Sequence, residues 1–115
     1  MFKSNSTTLT TVIGESTVIA GNINSKLSVR IDGRVGGNIT AGSAVVISTM
    51  GEVHGNIDCS TGNIIIDGTV NGDIIASTVK IGPKGRVNGK IETKTLSIEA
   101  GAVLNSNISM EVKEA

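Results

Sequence analysis

The side chains that most often carry out chemistry are scarce in this 115-residue chain, and each occurs in isolation. The one histidine, His54, has no second histidine to join it, whereas a zinc site needs three or four ligands of this kind. The isolation of His54 also argues against an acyltransferase of the hexapeptide-repeat type, which would need a catalytic base in a cleft between subunits. The one cysteine, Cys59, stands where equivalent stretches of the chain carry Ala or Thr, so we expect a small, buried and inert thiol. We predict neither catalytic nor metal-binding residues.

Aspartates and a glycine-rich stretch are two further candidates for chemistry. Four aspartates lie near glycines, where a carboxylate normally accepts hydrogen bonds from the local backbone: Asp32, Asp58, Asp67 and Asp73. The stretch 85–91, Gly-Arg-Val-Asn-Gly-Lys-Ile, superficially looks like a phosphate-binding loop. It has three residues between its glycines instead of four, and neither Ser nor Thr follows the lysine. We therefore predict structural aspartates, no bound nucleotide and no cofactor.

The elements that would position these residues come from one repeated pattern, Gly-x-Val-x-Gly-Asn/Asp-Ile. Copies occupy residues 33–39, 51–57, 68–74 and 85–91, where the last copy carries Lys in place of Asn or Asp, and weaker copies stand near both ends. The isoleucines that close the copies are Ile23, Ile39, Ile57, Ile74, Ile91 and Ile108, so successive copies are 16, 18, 17, 17 and 17 residues apart. A near-constant step of this size indicates a solenoid in which each repeat forms one turn of a coil.

Apolar and polar residues alternate along each repeat, which is typical of strands with one buried face. We expect every second residue to point inward from 27 to 41, from 45 to 59, from 64 to 76 and from 79 to 93, a set that includes Thr49 and Pro83. In the last turn the inward residues should be Leu96, Ile98, Leu104, Ser106, Ile108 and Met110. Glycines should mark the corners.

The residue after the second glycine of each copy should form a column along the coil. Its members are Asn22, Asn38, Asn56, Asp73 and Lys90. Asparagines stacked in this way can form a hydrogen-bonded ladder, which we expect Lys90 to break.

Composition agrees with a coil and excludes several other classes of protein. The 10 basic and 10 acidic residues cancel, so no excess positive charge favours binding to nucleic acid. Aromatic residues make up 1% of the chain. A compact globular fold would lack the large side chains that usually fill its core, whereas a narrow column of Ile, Val and Leu does not need them. One cysteine excludes an internal disulfide and suits a reducing compartment, and we find neither a signal peptide nor an apolar run long enough to span a bilayer. We predict a single all-β domain, a β-solenoid of about six turns with about 17 residues per turn.

The repeated Gly-x-Val-x-Gly-Asn-Ile, following a polar leader that opens Met1-Phe2-Lys3, resembles the bactofilins. The resemblance covers roughly residues 10–110, with residues 1–9 as a flexible leader and 111–115 as a short tail. It implies a right-handed parallel β-helix that polymerises end to end, without nucleotide, into non-polar filaments. It also implies a cytoskeletal role in the cytoplasm, at the inner face of a bacterial membrane, where filaments scaffold cell-envelope machinery for shape, wall growth or motility. Bactofilins often carry Pro-rich tails, which this chain lacks, so recruitment of partners through such tails is not expected here.

Two surfaces follow from the solenoid and the resemblance. A solenoid without polar caps exposes sheet edges and apolar side chains at both ends, through which subunits can stack. The polymer interface should consist of Leu9, Val12, Ile13, Val18 and Ile19 at one end and Leu104, Ile108, Met110 and Val112 at the other. The leader should bind the inner membrane through Met1, Phe2 and Lys3, weakly in each subunit and strongly in a filament.

Two alternatives and one further surface stay open on sequence alone. A six-residue spacing from Ile23 to Ile65 would suit a left-handed hexapeptide coil of the trimeric acyltransferase type, although it does not continue beyond Ile65 because a 17-residue step is not divisible by six. An ice-binding solenoid would need a flat, regular threonine ladder, and the outward threonines of this chain are irregular. Handedness is not decided by the repeat itself. Five basic residues, Lys80, Lys84, Arg86, Lys90 and Lys94, also fall within one turn and could form a patch for anionic lipid.

Overall fold

A computed structural model describes residues 10–110, and side chains from 11 to 108. All of the regular structure in that range is β-strand, in thirteen elements. They are β1 (Thr10–Ile13), β2 (Val18–Ala20), β3 (Ile23–Ser25), β4 (Ser28–Ile31), β5 (Arg34–Gly36), β6 (Ile39–Ala41), β7 (Ala44–Ile47), β8 (Glu52–His54), β9 (Ile57–Ile66), β10 (Thr69–Asn71), β11 (Ile74–Ile81), β12 (Arg86–Ile98) and β13 (Val103–Met110).

Every strand pairing is parallel and joins residues one repeat apart, so the chain coils into a β-helix with three sides. Side A consists of β1, β4 and β7 followed by 63–66, 78–81 and 95–98. Side B consists of β2, β5, β8 and β10 followed by 86–88 and 103–105. Side C consists of β3 and β6 followed by 57–59, 74–76, 91–93 and 108–110. Each side has six levels, which confirms the predicted all-β solenoid of about six turns with about 17 residues per turn.

The core is a column of aliphatic side chains along the axis of the coil. Levels stack in register: Val29 lies beside Val45, and Val45 lies beside Ile64. The predicted alternation is confirmed along the strands, since the buried set includes Val35, Ile39, Ile47, Val53, Ile57, Cys59, Ile66, Val70, Ile74, Val79, Ile81, Val87 and Ile91. Side chains of this size can fill so narrow a column without aromatic rings.

Two residues of the predicted inward set point to solvent instead. Thr49 and Pro83 are exposed, and both lie in four-residue corners between side A and side B. Backbone hydrogen bonds close these corners, from the Gly51 N–H to the Ser48 carbonyl at 2.8 Å and from the Gly85 N–H to the Gly82 carbonyl at 3.0 Å. Strict alternation holds only for extended backbone, so a closed turn places its middle residues outside. The inward prediction for Thr49 and Pro83 was wrong for this reason.

Corners of two lengths account for the uneven steps of the repeat. Corners 32–33 and 67–68 have two residues, whereas corners 14–17, 48–51, 82–85 and 99–102 have four. On the opposite edge of side A, three residues at 60–62 face a single residue of the next turn, because Cys59 pairs with Ala76 and Asn63 with Thr78. The six-residue spacing is lost there, since Ile65 points outward between the buried Ile64 and Ile66. These extra residues remove the hexapeptide register that the alternative reading required.

The predicted polar column lies at the corner between sides B and C, and its hydrogen bonds run from side chain to backbone. The Oδ1 atom of Asn22 accepts from the Asn38 N–H at 2.9 Å, and the same contact recurs at each level up to Asp73 and the Lys90 N–H at 3.2 Å. Lys90 takes part through its backbone N–H only, and the ladder ends at its side chain, as the expected break at Lys90 requires. The next step is missing because an ammonium group cannot accept a hydrogen bond.

Candidate assembly surfaces at the two ends

The C-terminal end of the coil presents a layer of inward-facing apolar side chains with no described turn above it. The layer stacks directly on Val79, Ile81, Val87 and Ile91 and consists of Leu96, Ile98, Leu104 and Ile108. Ile81 and Ile91 are fully buried, whereas Ile98 is 44% exposed and Ile108 is 42% exposed. The same core position is therefore buried inside the coil and solvent-exposed at the last described level. Another molecule could cover the exposed apolar area.

The N-terminal end of the coil has a corresponding layer. Ile13, Ile19 and Ile23 lie under Ile31, Val35 and Ile39 in the parallel register. Ile13 is buried, and Ile19 and Ile23 are partly buried against the core. Within residues 10–110, strands β1, β2 and β3 each pair with one neighbour only, and so does β13 at the other end. Both ends thus combine apolar side chains with backbone groups that have no strand partner in the described chain.

The structure separates the predicted interface residues into two groups. Ile13, Ile19, Leu104 and Ile108 belong to the end layers described above. Val12 and Val18 stand beside Arg30 and Arg34, and so point sideways from the first turn; they are 56% and 69% exposed. Leu9 and Val112 lie outside the described residues, as do Met1, Phe2 and Lys3, and nothing is described of the Met110 side chain.

Three members of the end layers were not predicted as interface residues: Ile23, Leu96 and Ile98. Ile23 closes the first weak copy of the repeat, and Leu96 and Ile98 continue the inward parity of the last turn. The signal that could have found them is the repeat itself. A core position in the first or last copy necessarily faces an open end.

Charged side chains avoid the two terminal turns. Residues 10–25 contain a single charged residue, Glu15, and residues 95–110 contain only Glu99. The fifth turn, in contrast, carries six charged residues in 77–94, namely Lys80, Lys84, Arg86, Lys90, Glu92 and Lys94. The buried centres of protein interfaces are depleted in charge in the same way. The distribution of charge therefore favours contacts at the ends over contacts at the fifth turn.

The family model of bactofilins, described as polymer-forming cytoskeletal, matches residues 11–109, which span all three sides and both end layers. The chain belongs to the bactofilin family. No curated protein and no solved structure matches the chain. The family is described as polymer-forming and cytoskeletal, so self-association is the property that membership brings to this bactofilin. Over residues 10–110 there is no helix with the length and apolar character needed to cross a bilayer.

The single histidine of this bactofilin belongs to a polar ladder on side B that the sequence did not predict. The Asn71 amide donates to His54 Nδ1 at 3.2 Å, Asn88 donates to Asn71 at 2.8 Å, and Asn105 donates to Asn88 at 3.1 Å. On its other side the His54 Nε2 atom lies 3.5 Å from Glu52. Arg34 contacts the same carboxylate at 3.0 Å, and this hydrogen bond lowers the pKa of Glu52. The described residues contain no group of three side chains able to hold a metal ion.

The cysteine is buried, as predicted. The Cys59 thiol lies 3.8 Å from the Asn63 carbonyl, at a place where the next turns carry Ala76 and Thr93. Burial raises the pKa of the Cys59 thiol, and the neighbouring Asp58 raises it further. A protonated thiol is a poor nucleophile. Cys59 therefore packs in the bactofilin core as a small apolar side chain.

The five basic residues of the fifth turn form a ring, not a patch. Lys80 lies on side A, Lys84 at the corner between sides A and B, and Arg86 on side B. Lys90 lies at the corner between sides B and C, 3.9 Å from Glu92, and Lys94 follows side C. One turn encircles the whole coil, so residues clustered in sequence are spread over every side. A flat partner can contact only some of the five.

Proposed function

We propose that this chain is a structural subunit that stacks end to end into filaments without nucleotide and without catalysis. The filaments lie at the inner face of the bacterial membrane and scaffold machinery that builds or shapes the cell envelope. The observation that carries the proposal is the pair of open, charge-poor apolar end layers at the two ends of one continuous core. Membership of a polymer-forming family agrees with it.

Stacking would cover the exposed apolar layer at each end and would give the terminal strands their missing strand partners. A subunit placed on the C-terminal layer would cover Ile98 and Ile108, and fully burying an Ile contributes about 1.5–3 kcal/mol. It would also supply strand partners for β13 and for 95–98, which have one neighbour each in the described chain. Because the sides of the coil are straight columns, the core would continue from one subunit into the next.

The proposed filament is non-polar, so each end contacts its own kind. Such a filament alternates two different two-fold interfaces, one between C-terminal layers and one between N-terminal layers. Each interface is then closed by itself, and only the two together give an open-ended polymer. The type of contact can therefore be measured, because a variant that loses one of the two interfaces must still form dimers through the other.

Negative-stain electron microscopy of the full chain at modest salt tests the proposal directly. We expect rods of open-ended length, with an axial spacing that is a multiple of six turns. Six levels about 4.8 Å apart give a rise of roughly 29 Å per subunit. A closed trimer of one mass would instead support the hexapeptide-repeat alternative, and a non-associating monomer would contradict both.

Deletion of residues 1–3 should separate membrane attachment from polymerisation. The leader carries the chain's only aromatic residue, Phe2, next to Met1 and Lys3. Burying one Phe or Met contributes about 1.5–3 kcal/mol, so a single leader binds marginally while a filament presents many. We expect the deleted chain to form normal filaments and to lose most co-sedimentation with vesicles.

A second variant, Phe2→Ser, removes the aromatic ring but keeps the length and charge of the leader. It should lose vesicle binding nearly as fully as the deletion does. Binding retained by both variants would contradict the role of the leader.

A further inference from the structure

The two end layers are not equivalent, because one inward position of side A changes type between the first turn and the last. In successive turns this position holds Thr11, Val29, Val45, Ile64, Val79 and Leu96. The four residues between the ends are fully buried, whereas Thr11 is exposed. The position is therefore polar at the N-terminal end and apolar at the C-terminal end. The C-terminal layer has four aliphatic side chains where the N-terminal layer has three.

The aliphatic side chains of the C-terminal layer are also the more exposed. Ile13 and Ile98 occupy the first and last levels of a second inward column of side A, and they are 7% and 44% exposed. On side C, Ile23 is half-buried, whereas Ile108 is 42% exposed. The free energy gained on burial grows with the apolar area removed from water. A second subunit therefore gains more by covering the C-terminal layer.

The open strand edges differ in the same direction. At the C-terminal end, the eight-residue strand β13 continues without a break from side B into side C, and 95–98 adds the edge of side A. At the N-terminal end the edge is divided among β1, β2 and β3, of which β2 and β3 have three residues each. An uninterrupted edge offers a longer row of backbone groups for pairing with a second strand.

Charge does not offset this difference between the ends. Glu15 is the one charged residue of 10–25, and Glu99 is the one charged residue of 95–110. Both lie in the corner between sides A and B of their turn. A like-to-like contact at either end therefore brings the same number of these carboxylates together. The apolar area and the strand edge are left to decide which contact is stronger.

We propose that the C-terminal layers form the tighter of the two like-to-like contacts, so that the filament grows from pairs of subunits joined at their C-terminal ends. The inference rests on the proposed end-to-end filament and adds to it the order of assembly. Subunits pair first through the C-terminal layer, and the pairs then join through the weaker layer that contains Thr11. Dilution breaks such a filament into C-terminal pairs before it releases single subunits.

Two variants that each block one end measure the two contacts separately. Ile23→Arg blocks the N-terminal layer and leaves the C-terminal contact, and Ile108→Arg does the reverse. Analytical ultracentrifugation of each full-length variant over a concentration series gives the dissociation constant of its dimer. We expect the constant of the Ile23→Arg dimer to be at least about tenfold lower, because each two-fold contact contains the position of Thr11 or Leu96 twice. Equal constants, or a tighter Ile108→Arg dimer, would overturn the inference.

Thr11→Leu tests the position that distinguishes the two layers. Introduced into the Ile108→Arg chain, it gives the N-terminal layer a fourth aliphatic side chain at an exposed site, so the fold should be kept. We expect the N-terminal dimer to become at least about threefold tighter. The matched control is Thr40→Leu in the same chain, because Thr40 is also exposed but points sideways from side C. It should leave the constant unchanged, and equal effects of the two substitutions would contradict the inference.

Microscopy of the parent and of both blocked variants separates the order of assembly from the filament itself. Parent filaments together with two dimers of equal stability would reject only the order of assembly. If the parent forms no filaments and neither blocked variant dimerises, end-to-end assembly fails and the C-terminal pair fails with it. If each blocked variant is a monomer alone and the two combine on mixing, subunits join head to tail. That result would reject both the non-polar filament and the C-terminal pair.

Discussion

Ile108→Arg should stop filament growth and leave a dimer as the largest stable species. Ile108 is a core position of the last level, stacked on the buried Ile91 and 42% exposed at the C-terminal end. A guanidinium there would have to be buried without a partner when a second subunit docks, which costs several kcal/mol. In the isolated subunit the same side chain can extend into water, so the fold should survive. Analytical ultracentrifugation measures the outcome.

The size of the product reports how subunits meet. If each end contacts its own kind, the Ile108→Arg chain retains its N-terminal interface and forms dimers. If the C-terminal layer contacts the N-terminal layer of the next subunit, the same change removes the only contact and gives monomers. Leu104→Arg should behave as Ile108→Arg does, and Ile23→Arg should give dimers through the other end.

Ile75→Arg is the matched control for the end variants. Ile75 is 40% exposed, nearly as much as Ile108, but it points sideways from side C in the fourth turn. The two variants thus carry the same substitution at similarly exposed isoleucines, one at the end of the rod and one on its flank. We expect Ile75→Arg to pellet as the parent does. Filaments of Ile108→Arg that pellet normally would contradict assembly through the ends.

The number of turns and the core were predictable because a solenoid constrains both locally. Parallel pairing between successive turns requires equivalent residues to repeat, so the spacing of the closing isoleucines counts the turns. Inward parity then follows from the extended backbone within each strand. Val35, Val53, Val70 and Val87 illustrate this, since each is the valine of one copy and all four are buried.

What the sequence did not reveal depends on the path of the backbone at the corners. Corners of two and four residues both contain Gly, so the pattern alone does not tell that Pro83 points outward. The path of the backbone also decides whether an apolar residue of a terminal turn belongs to the core layer at the end of the rod or points sideways from it. Ile108 stacks on the buried Ile91, whereas Val18 lies beside the exposed Arg34. The basic ring was taken for a patch because neighbours in sequence are dispersed once a single turn completes a full circuit.

Gly55→Ala should cost more stability than the same exchange at Gly21, an equivalent corner glycine where the added methyl group would meet no atom. Gly55 has φ of 156°, and a Cβ built on it would overlap the Gly37 carbonyl of the preceding turn. The obstacle is backbone that is itself held in the sheet, because the Gly37 N–H donates to the His54 carbonyl at 3.0 Å. Strained φ and forced overlap each cost about 1–3 kcal/mol, so we expect a loss of about 2–6 kcal/mol.

Gly21→Ala separates the two contributions to that loss. Gly21 occupies the same corner in the first turn, with φ of 143°, but a Cβ there would meet no atom within 4 Å. It therefore has the strain of positive φ without the overlap, and should lose only about 1–3 kcal/mol. Denaturant unfolding should be measured in the Ile108→Arg background, where the subunits no longer form filaments. Equal losses at both glycines would mean that the spacing between turns can widen to accept a methyl group, and that the close stacking of corners does not fix the pitch of the coil.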